Sequence, residues 1–468
     1  MLHHLFFSLQ FTPVCVISIS MKTTTQTTNP ITEGSIWKPL LLFFLPIVFG
    51  TLFQQLYNTV DAVVVGRFVG KEALAAVGGS SGQILSLVVN FFVGLSSGAS
   101  VIISQFYGAK DAAHVNRTLH TALAFSIVGS IFVTILGITA SPWMLGLMNT
   151  PKELMADSRL YLQIYFGGVF FVFIYNVGSA ILRAVGDSKS PLIYLAVCCG
   201  MNVVLDILLI LVFHMGVEGA AIATVASQAV SAVLVLRRLK QPGDMYRLEF
   251  HLLRMERHTT LRILQIGLPA GLQSAMYCIT NIIIQAALNG FGTDSVAAWA
   301  AFGKIDSLIW MVLGAMGIAV TTFVGQNYGA AKYSRMKKSV VLGLVISQIF
   351  VNVTALLFIF FGSKLFLLFT TEKQVIDIGM NMLMHMAPYY WIYVFIEVLS
   401  AALRGTGDVF FPAVITCVGV CLIRILWIFL VLPLNPTLEM LLVTYPITWI
   451  VTAAAFVFYY LKRQKRWT

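Results

Sequence analysis

The sequence contains long, solidly apolar runs, and these constrain its fold more than any other feature. A helix needs about 20 apolar residues to cross a hydrocarbon core of about 30 Å, whereas the strands of a membrane barrel alternate apolar and polar residues. The chain has twelve such runs, near 39–63, 79–103, 118–141, 158–181, 190–213, 217–236, 263–287, 297–322, 339–362, 379–402, 410–433 and 440–461. We therefore predict an all-α fold, a polytopic membrane protein with twelve transmembrane helices.

The low share of charged residues excludes the soluble classes of protein. The 468 residues are 58% hydrophobic and 10% charged, whereas a soluble domain is about 25% charged. So few charges cannot cover a surface that faces water. The formal net charge is +11. The positions of the basic residues decide whether this charge indicates a nucleic-acid partner.

The basic residues are distributed unevenly between the two ends of the predicted helices. If the N-terminus is cytoplasmic, 22 of the 30 Lys and Arg residues fall on the cytoplasmic side and six on the other side. This asymmetry is what the positive-inside rule predicts. We therefore expect both termini in the cytoplasm, and we expect no nucleic-acid partner.

The two halves of the chain repeat each other. Ser104-Gln-Phe-Tyr-Gly-Ala109 recurs as Gly325-Gln-Asn-Tyr-Gly-Ala330, and Leu182-Arg-Ala-Val-Gly-Asp187 recurs as Leu403-Arg-Gly-Thr-Gly-Asp408, both at a displacement of 221 residues. Each half contains six spans, so both halves enter the membrane in the same orientation. Parallel repeats with a substrate site between them are a transporter architecture. The repeat predicts two pseudo-symmetric six-helix bundles.

The polar segments divide the chain into four parts. We predict an N-terminal cytoplasmic tail over 1–36, an N-lobe with helices 1 to 6 over 37–240, a cytoplasmic linker over 241–261, and a C-lobe with helices 7 to 12 and a basic tail over 262–468. Residues 1–20 contain no Lys or Arg and no Ala-x-Ala-like cleavage site, so we expect no signal peptide. We expect the natural chain to start at Met21.

Charged residues inside the spans are the strongest candidates for a functional site. Each costs about 2.5–3.5 kcal/mol at the centre of a helix in the membrane. Asp61 and Asp206 fall in the outer halves of helices 1 and 5, and Tyr57 and Asn202 precede them by one turn. Two carboxyl groups at one depth could share a proton or coordinate a sodium ion. The alternative is that each acid only accepts hydrogen bonds from neighbouring helices.

The second half contributes further charged candidates. Glu397 lies in the middle of a span and is a candidate for receiving a cationic substrate or protons. Lys304 and Asp306 are two residues apart and therefore lie on different faces of one helix, so structural ion pairs with other helices are as consistent with them as substrate contacts. Arg424 suits a packing or interfacial position at least as well as a ligand contact.

The sequence contains no recognisable catalytic motif. It has no Gly-x-x-x-x-Gly-Lys-Ser/Thr stretch for nucleotide phosphates, no His-Glu-x-x-His and no Gly-x-Ser-x-Gly. We therefore expect no enzymatic activity and no cofactor beyond a coupling ion, and an ion gradient as the energy source.

Several motifs identify a family resemblance. The span order, Leu-Tyr-Asn-Thr-Val-Asp61-Ala-Val-Val-Val-Gly66, Glu72-Ala-Leu-Ala-Ala76 and the repeated Tyr-Gly-Ala and Leu-Arg-x-x-Gly-Asp motifs resemble the multidrug and toxic compound extrusion (MATE) family from about Trp37 to the C-terminus. The resemblance implies two six-helix lobes around a central cavity and alternating access. It also implies export of cationic or amphipathic compounds in exchange for sodium ions or protons.

The resemblance also implies site residues. Asp61, Asn202 and Asp206 match the branch whose N-lobe binds the coupling cation, and would bind sodium if sodium is the coupling ion. Further matching positions are Tyr57, Tyr161, Asn176 and Thr224, with Ala220 offering its backbone carbonyl. Another branch carries acids where this chain has Tyr277 and Tyr393, so we expect no C-lobe cation site of that type.

The remaining expectations concern location and partners. The resemblance implies a monomer in the bacterial plasma (inner) membrane, in contact with lipid, with small organic cations or amphipathic drugs as substrates. The alternative is a flippase for lipid-linked cell-wall or polysaccharide precursors. Such proteins carry several cationic residues in the central cavity, and here only Lys304 and Arg424 lie within spans. The internal duplication argues against a membrane-embedded enzyme or receptor.

Overall fold

The computed structural model describes residues 29–241 and 245–467. Within these residues it contains twelve helices long and apolar enough to cross a membrane, and no strand. The predicted all-α fold with twelve spans is confirmed. The expected start at Met21 and residues 1–28 of the predicted tail lie outside the described residues.

The helices of the two halves follow each other along the chain with short connections. In the first half they are α1 (Trp37–Val69), α2 (Lys71–Gly108), α3 (Ala112–Leu147), α4 (Lys152–Ala184), α5 (Lys189–Val212) and α6 (Val217–Lys240). In the second half they are α7 (Arg257–Asn289), α8 (Thr293–Gly329), α9 (Tyr333–Phe366), α10 (Lys373–Gly405), α11 (Phe410–Leu434) and α12 (Leu438–Gln464).

The repeated motifs form equivalent turns in the two halves. The left-handed residue after α2 is Lys110, with φ 59°, and its counterpart after α8 is Ala331, with φ 56°. Gly186 and Gly407 likewise have φ values of 97° and 89° after α4 and α10, a region that favours glycine because it has no Cβ. The duplication seen in the sequence is therefore a duplication of backbone geometry.

The acid at the end of each Leu-Arg-x-x-Gly-Asp motif ties its turn to the last helix of its own half. Asp187 pairs with Arg238 of α6 at 3.4 Å. Asp408 pairs with Arg463 of α12 at 2.7 Å and also accepts a hydrogen bond from Tyr459 at 2.7 Å. These pairs explain why an acid recurs at this position, and they give it a structural role within each bundle.

The two halves meet closely along α2, which packs against α7 and α8 of the second half. Gly98 of α2 lies against Gly267 and the carbonyl of Ile263, so that a Cβ at this position would overlap the backbone of α7. Small residues allow helices in a membrane to approach to backbone contact. Helix α1 also bridges the halves, because it packs against both α5 and α8.

Two reciprocal hydrogen bonds join the halves at one end of the molecule. Gln105 of α2 donates to the carbonyl of Gly405 at 2.9 Å, and Gln326 of α8 donates to the carbonyl of Ala184 at 2.7 Å. The two glutamine donors are 221 residues apart in the sequence, and so are the two residues whose carbonyl groups accept. This pair of bonds, here called the glutamine latch, lies at the end where the first described residues and Trp467 come together. The molecule is therefore closed at that end.

Replacing both latch residues, Gln105→Ala with Gln326→Ala, is expected to favour opening at this end. Each net hydrogen bond stabilises the closed form by about 0.5–1.5 kcal/mol, so loss of both shifts the equilibrium about tenfold. Spin labels on cysteines at the exposed, repeat-related positions Ala113 and Ser334, in an otherwise cysteine-free chain, will report this as a larger population of long distances.

The control for this measurement is Gln348→Ala. Gln348 donates to the carbonyl of Trp391 at 2.8 Å, and both residues belong to the second half. This substitution should leave the distance distribution unchanged. An unchanged distribution in the double latch variant would show that the latch does not hold this end closed.

Candidate functional site

Asp61 of α1 and Asp206 of α5 come together inside the first half. The two residues are 8% and 0% exposed, and their carboxyl groups lie near each other. A wider helical turn follows each acid, over Val65–Val69 and Ile207–Val212. Such turns inside helices are frequent at functional sites.

Most of the carboxylate oxygens of this pair lack donors within the described part of the chain. Both carboxylate oxygens of Asp206, one of Asp61, and the amide oxygen and nitrogen of Asn202 have no hydrogen-bond partner among the described residues. A buried polar atom without a partner costs about 1–3 kcal/mol, and more if it is charged. The alternative in which neighbouring helices donate hydrogen bonds to Asp206 is thus not realised. The arrangement suits a ligand that supplies positive charge, either a proton or a cation.

Tyrosines border this pair of acids. Tyr161 of α4 is buried next to Asp61 and Asp206, and Tyr57 of α1 lies near Asp61 and faces Gln228 of α6. Tyr165, one turn beyond Tyr161, also lies near Tyr57. Tyr57 and Tyr161 were expected here from the resemblance, whereas Gln228 and Tyr165 were not identified from the sequence.

The other residues implied by the resemblance are distributed more widely. Thr224 and Ala220 are buried one turn apart on α6, which packs against α4 and α5. Asn176 donates to the carbonyl of Val172 in its own helix at 2.8 Å and lines a small apolar pocket between α2, α3 and α4. It lies 15 residues beyond Tyr161, or about 22 Å along α4.

The second half contains a cavity of about 760 Å³. Asp306 of α8 lines it, and its two carboxylate oxygens accept hydrogen bonds from the hydroxyl of Tyr390 and, at 2.5 Å, from the indole of Trp310. Arg424 of α11 lines the same cavity and stacks 3.9 Å from the ring centre of Tyr445. The sequence placed Asp306 and Arg424 in spans but did not predict that they share a cavity.

Tyr277 and Tyr393, the positions at which the sequence departs from another branch of the family, face each other across this cavity. Their hydroxyl groups are 2.8 Å apart and hydrogen-bonded. The remaining two candidates lie elsewhere. Glu397 forms an ion pair with Arg404 at 3.2 Å, and Lys304 is exposed on α8.

Much of the cavity wall is aromatic. The spacing of these aromatic residues along their helices is a signal in the sequence that could have located the wall. Trp299, Phe302, Asp306 and Trp310 follow each other at intervals of three, four and four residues along α8, which places them on one face. Tyr445 and Trp449 are likewise one turn apart on α12. The partner helices of each face could not be deduced from spacing alone.

Within residues 29–241 and 245–467, no group of three or more His, Cys, Asp or Glu side chains lies close enough together to hold a metal ion. The acid pair of the first half has two carboxyl groups, with Asn202 as a neighbouring amide.

Comparison with known proteins finds relatives over most of the chain. A family model described as MatE matches residues 46–208 and 269–430, one stretch in each half. The probable multidrug resistance proteins YpnP and YoeA of Bacillus subtilis are 31% and 29% identical, covering 84% and 82% of this chain and 88% and 84% of their own lengths. A solved MOP superfamily transporter from Pyrococcus furiosus has the same fold, with a TM-score of 0.88 at 23% identity, over 95% of this chain and 99% of that one.

Substituting one acid of the pair, Asp206→Asn, is expected to stabilise the purified protein at alkaline pH without sodium. The substitution removes one of two like charges that have no donor, a gain of about 1–3 kcal/mol. Thermal unfolding in detergent should then shift upward by roughly 2–4 °C per kcal/mol. The same variant should lose most of the stabilisation that acid or sodium confers on the unsubstituted protein.

Asp377→Asn is the matched control, because Asp377 is exposed at the start of α10. It should leave both the unfolding temperature and its dependence on acid and sodium unchanged. A lower unfolding temperature for Asp206→Asn at alkaline pH without sodium would contradict the inference that the two carboxyl groups repel each other.

Proposed function

Since the chain belongs to the MatE family, the multidrug and toxic compound extrusion transporters, we propose that it is an efflux antiporter. It exports cationic or amphipathic compounds in exchange for sodium ions or protons, by alternating access. The observation that carries this proposal is the buried acid pair Asp61 and Asp206, in which three of the four carboxylate oxygens have no hydrogen-bond partner among the described residues. The names of its Bacillus subtilis relatives as multidrug resistance proteins support the substrate class.

The coupling cation binds at the acid pair in the first half. A proton placed between the two carboxyl groups, or a sodium ion held by both with the amide oxygen of Asn202, removes the repulsion of two buried like charges. Tyr161 closes the site on the side of α4. The chain needs no cofactor for this step, because the gradient of the cation supplies the free energy.

Helix α1 carries the effect of cation binding to the second half. It holds Asp61, packs against α5 where Asp206 lies, and packs against α8 of the other half. It also contains Pro46, which removes a backbone hydrogen bond and allows a bend. A change at Asp61 therefore alters the contacts that α1 makes with both halves. Coupling requires that the cation bind the two access states with different affinities.

The structure is closed at the end that carries the glutamine latch, and this end faces the cytoplasm in our proposal. The basic loops and the basic segment after α12 lie at the same end of the spans, as the positive-inside rule requires. Opening of the latch exposes the substrate site to the cytoplasm. The protein is thus a multi-pass transporter of the bacterial plasma membrane rather than an enzyme.

The flippase alternative requires several cationic side chains that face the substrate cavity. Among the residues lining the cavity of the second half, Arg424 is the single basic one. Glu397 is paired with Arg404, and Lys304 is exposed on α8. The described cavity is therefore better suited to small compounds than to a lipid-linked pyrophosphate.

Transport in proteoliposomes tests the proposal. Vesicles preloaded with the fluorescent cation rhodamine 123 should lose their dye gradient after a sodium jump or a pH jump. The jump that causes this loss identifies the coupling ion. Asp206→Asn and Asp61→Asn should each slow the coupled flux at least about tenfold, because a charge essential for cation binding is removed.

Asp377→Asn again provides the control and should transport at the unsubstituted rate. If Asp206→Asn retained full ion-driven flux, the acid pair would not be the coupling site. If neither jump moved the dye in the unsubstituted protein, cation-coupled export of this compound would be excluded.

A further inference from the structure

Arg424 is a buried cation without an anionic partner. It lies in α11, is 4% exposed, and lines the cavity of the second half. It donates one hydrogen bond to the hydroxyl of Thr448 at 3.1 Å and stacks on Tyr445, while its Nε atom has no acceptor. Among the ion pairs of the described residues, none involves Arg424.

The cavity does not provide a carboxylate for this arginine. Asp306 is the single acid among the lining residues, and the ion pairs of the described residues include none between it and Arg424. Each of its two oxygens already accepts a hydrogen bond, one from Tyr390 and one from Trp310. A buried charge that lacks a partner carries a large cost in free energy, so the guanidinium is a strong candidate for pairing with a ligand.

A second buried donor lines the same cavity. The indole Nε1 of Trp449, whose side chain is 1% exposed, has no acceptor among the described residues. Trp449 lines the same cavity, and its ring centre is 5.9 Å from that of Tyr445, on which Arg424 stacks. The cavity thus offers two unpaired donors from two adjacent helices, and these require an acceptor with negative charge.

The walls of the cavity suit a planar ring. Trp299, Trp310, Tyr445 and Trp449 line it, and aromatic side chains pack ring systems in stacked or edge-on arrangements. A volume of about 760 Å³ falls within the range of about 300–1,000 Å³ that drug-sized ligands occupy. The cavity also reaches Asn90 of α2, so the first half contributes to its wall.

We propose that the cavity of the second half binds an aromatic anion, a planar ring system that carries a carboxylate or phosphate group. The anionic group pairs with Arg424 and accepts a hydrogen bond from Nε1 of Trp449, and the ring packs among the aromatic walls. This inference rests on the proposed function, because the bound anion is one of the amphipathic compounds exported. It assigns these compounds a site in the second half, apart from the acid pair in the first.

Two dyes with one ring framework test this site directly. Fluorescein is an aromatic carboxylate and rhodamine 123 is a cation, and both contain a xanthene ring system. In equilibrium dialysis with the full chain in detergent, fluorescein should bind to the unsubstituted protein. Arg424→Gln should weaken that binding at least about tenfold, a loss of about 1.4 kcal/mol, whereas Arg424→Lys should retain part of it.

Three controls make the result specific. Rhodamine 123 binding should not weaken in Arg424→Gln, because no contact with the cation is removed. Arg159→Gln, which removes an exposed arginine outside the cavity, should bind fluorescein normally. Trp449→Phe keeps the ring but removes its N–H, and it should weaken fluorescein binding even if Arg424→Gln fails to fold. The proposal would be overturned if the folded Arg424 and Trp449 variants bound fluorescein as tightly as the unsubstituted protein. It would also be overturned if the unsubstituted protein did not bind fluorescein.

Failure of this proposal can be distinguished from failure of the proposed function. Fluorescein binding in detergent requires no ion gradient, so it is measured on the unsubstituted protein and Arg424→Gln separately from the transport assay of Asp206→Asn. If Asp206→Asn transports normally while Arg424→Gln loses fluorescein, the coupling site is wrong and the anion site stands. If Asp206→Asn loses transport while Arg424→Gln binds fluorescein normally, the anion site is wrong and coupling stands.

Discussion

The structure depends on the placement of polar groups that the membrane cannot solvate. Asp61 and Asp206 lie near each other, and three of their four carboxylate oxygens have no donor in the described part of the chain, in helices whose backbone is otherwise satisfied internally. The pair needs positive charge to be stable there, and α1 connects it to the second half. A local electrostatic requirement thereby becomes a constraint on the arrangement of the two bundles.

The two halves share a backbone but differ in the polar groups that they bury. The duplicated turns, the Asp–Arg pairs and the glutamine latch follow the repeat closely, because both halves need the same closure at one end. The interiors have diverged. The first half buries two facing acids, whereas the second half buries an arginine, a hydrogen-bonded acid and a ring of aromatic side chains. One scaffold therefore buries two chemically distinct groups of polar side chains.

Prediction from the sequence worked best where a property belongs to a single helix. Apolar length located all twelve spans. The cost of charge in hydrocarbon selected six site candidates, whose roles stay predictions: Asp61, Asp206, Asp306, Glu397, Lys304 and Arg424. Prediction worked less well for relations between helices. The sequence did not identify Gln228 and Tyr165 as neighbours of Tyr57, nor the aromatic residues around Asp306. The reason is that the face that each helix turns to its neighbours depends on packing.

The sequence by itself determined the class of protein, the number of spans and the duplication, since apolar length and a fixed displacement can be read along one chain. Only the tertiary structure decided which charged groups have partners. Glu397 pairs with Arg404, whereas among the described residues Arg424 has no carboxylate partner and the oxygens of Asp206 have no donor. The physical reason is that the free energy of a buried charge depends on groups within a few ångströms, and those groups come from helices distant in the chain.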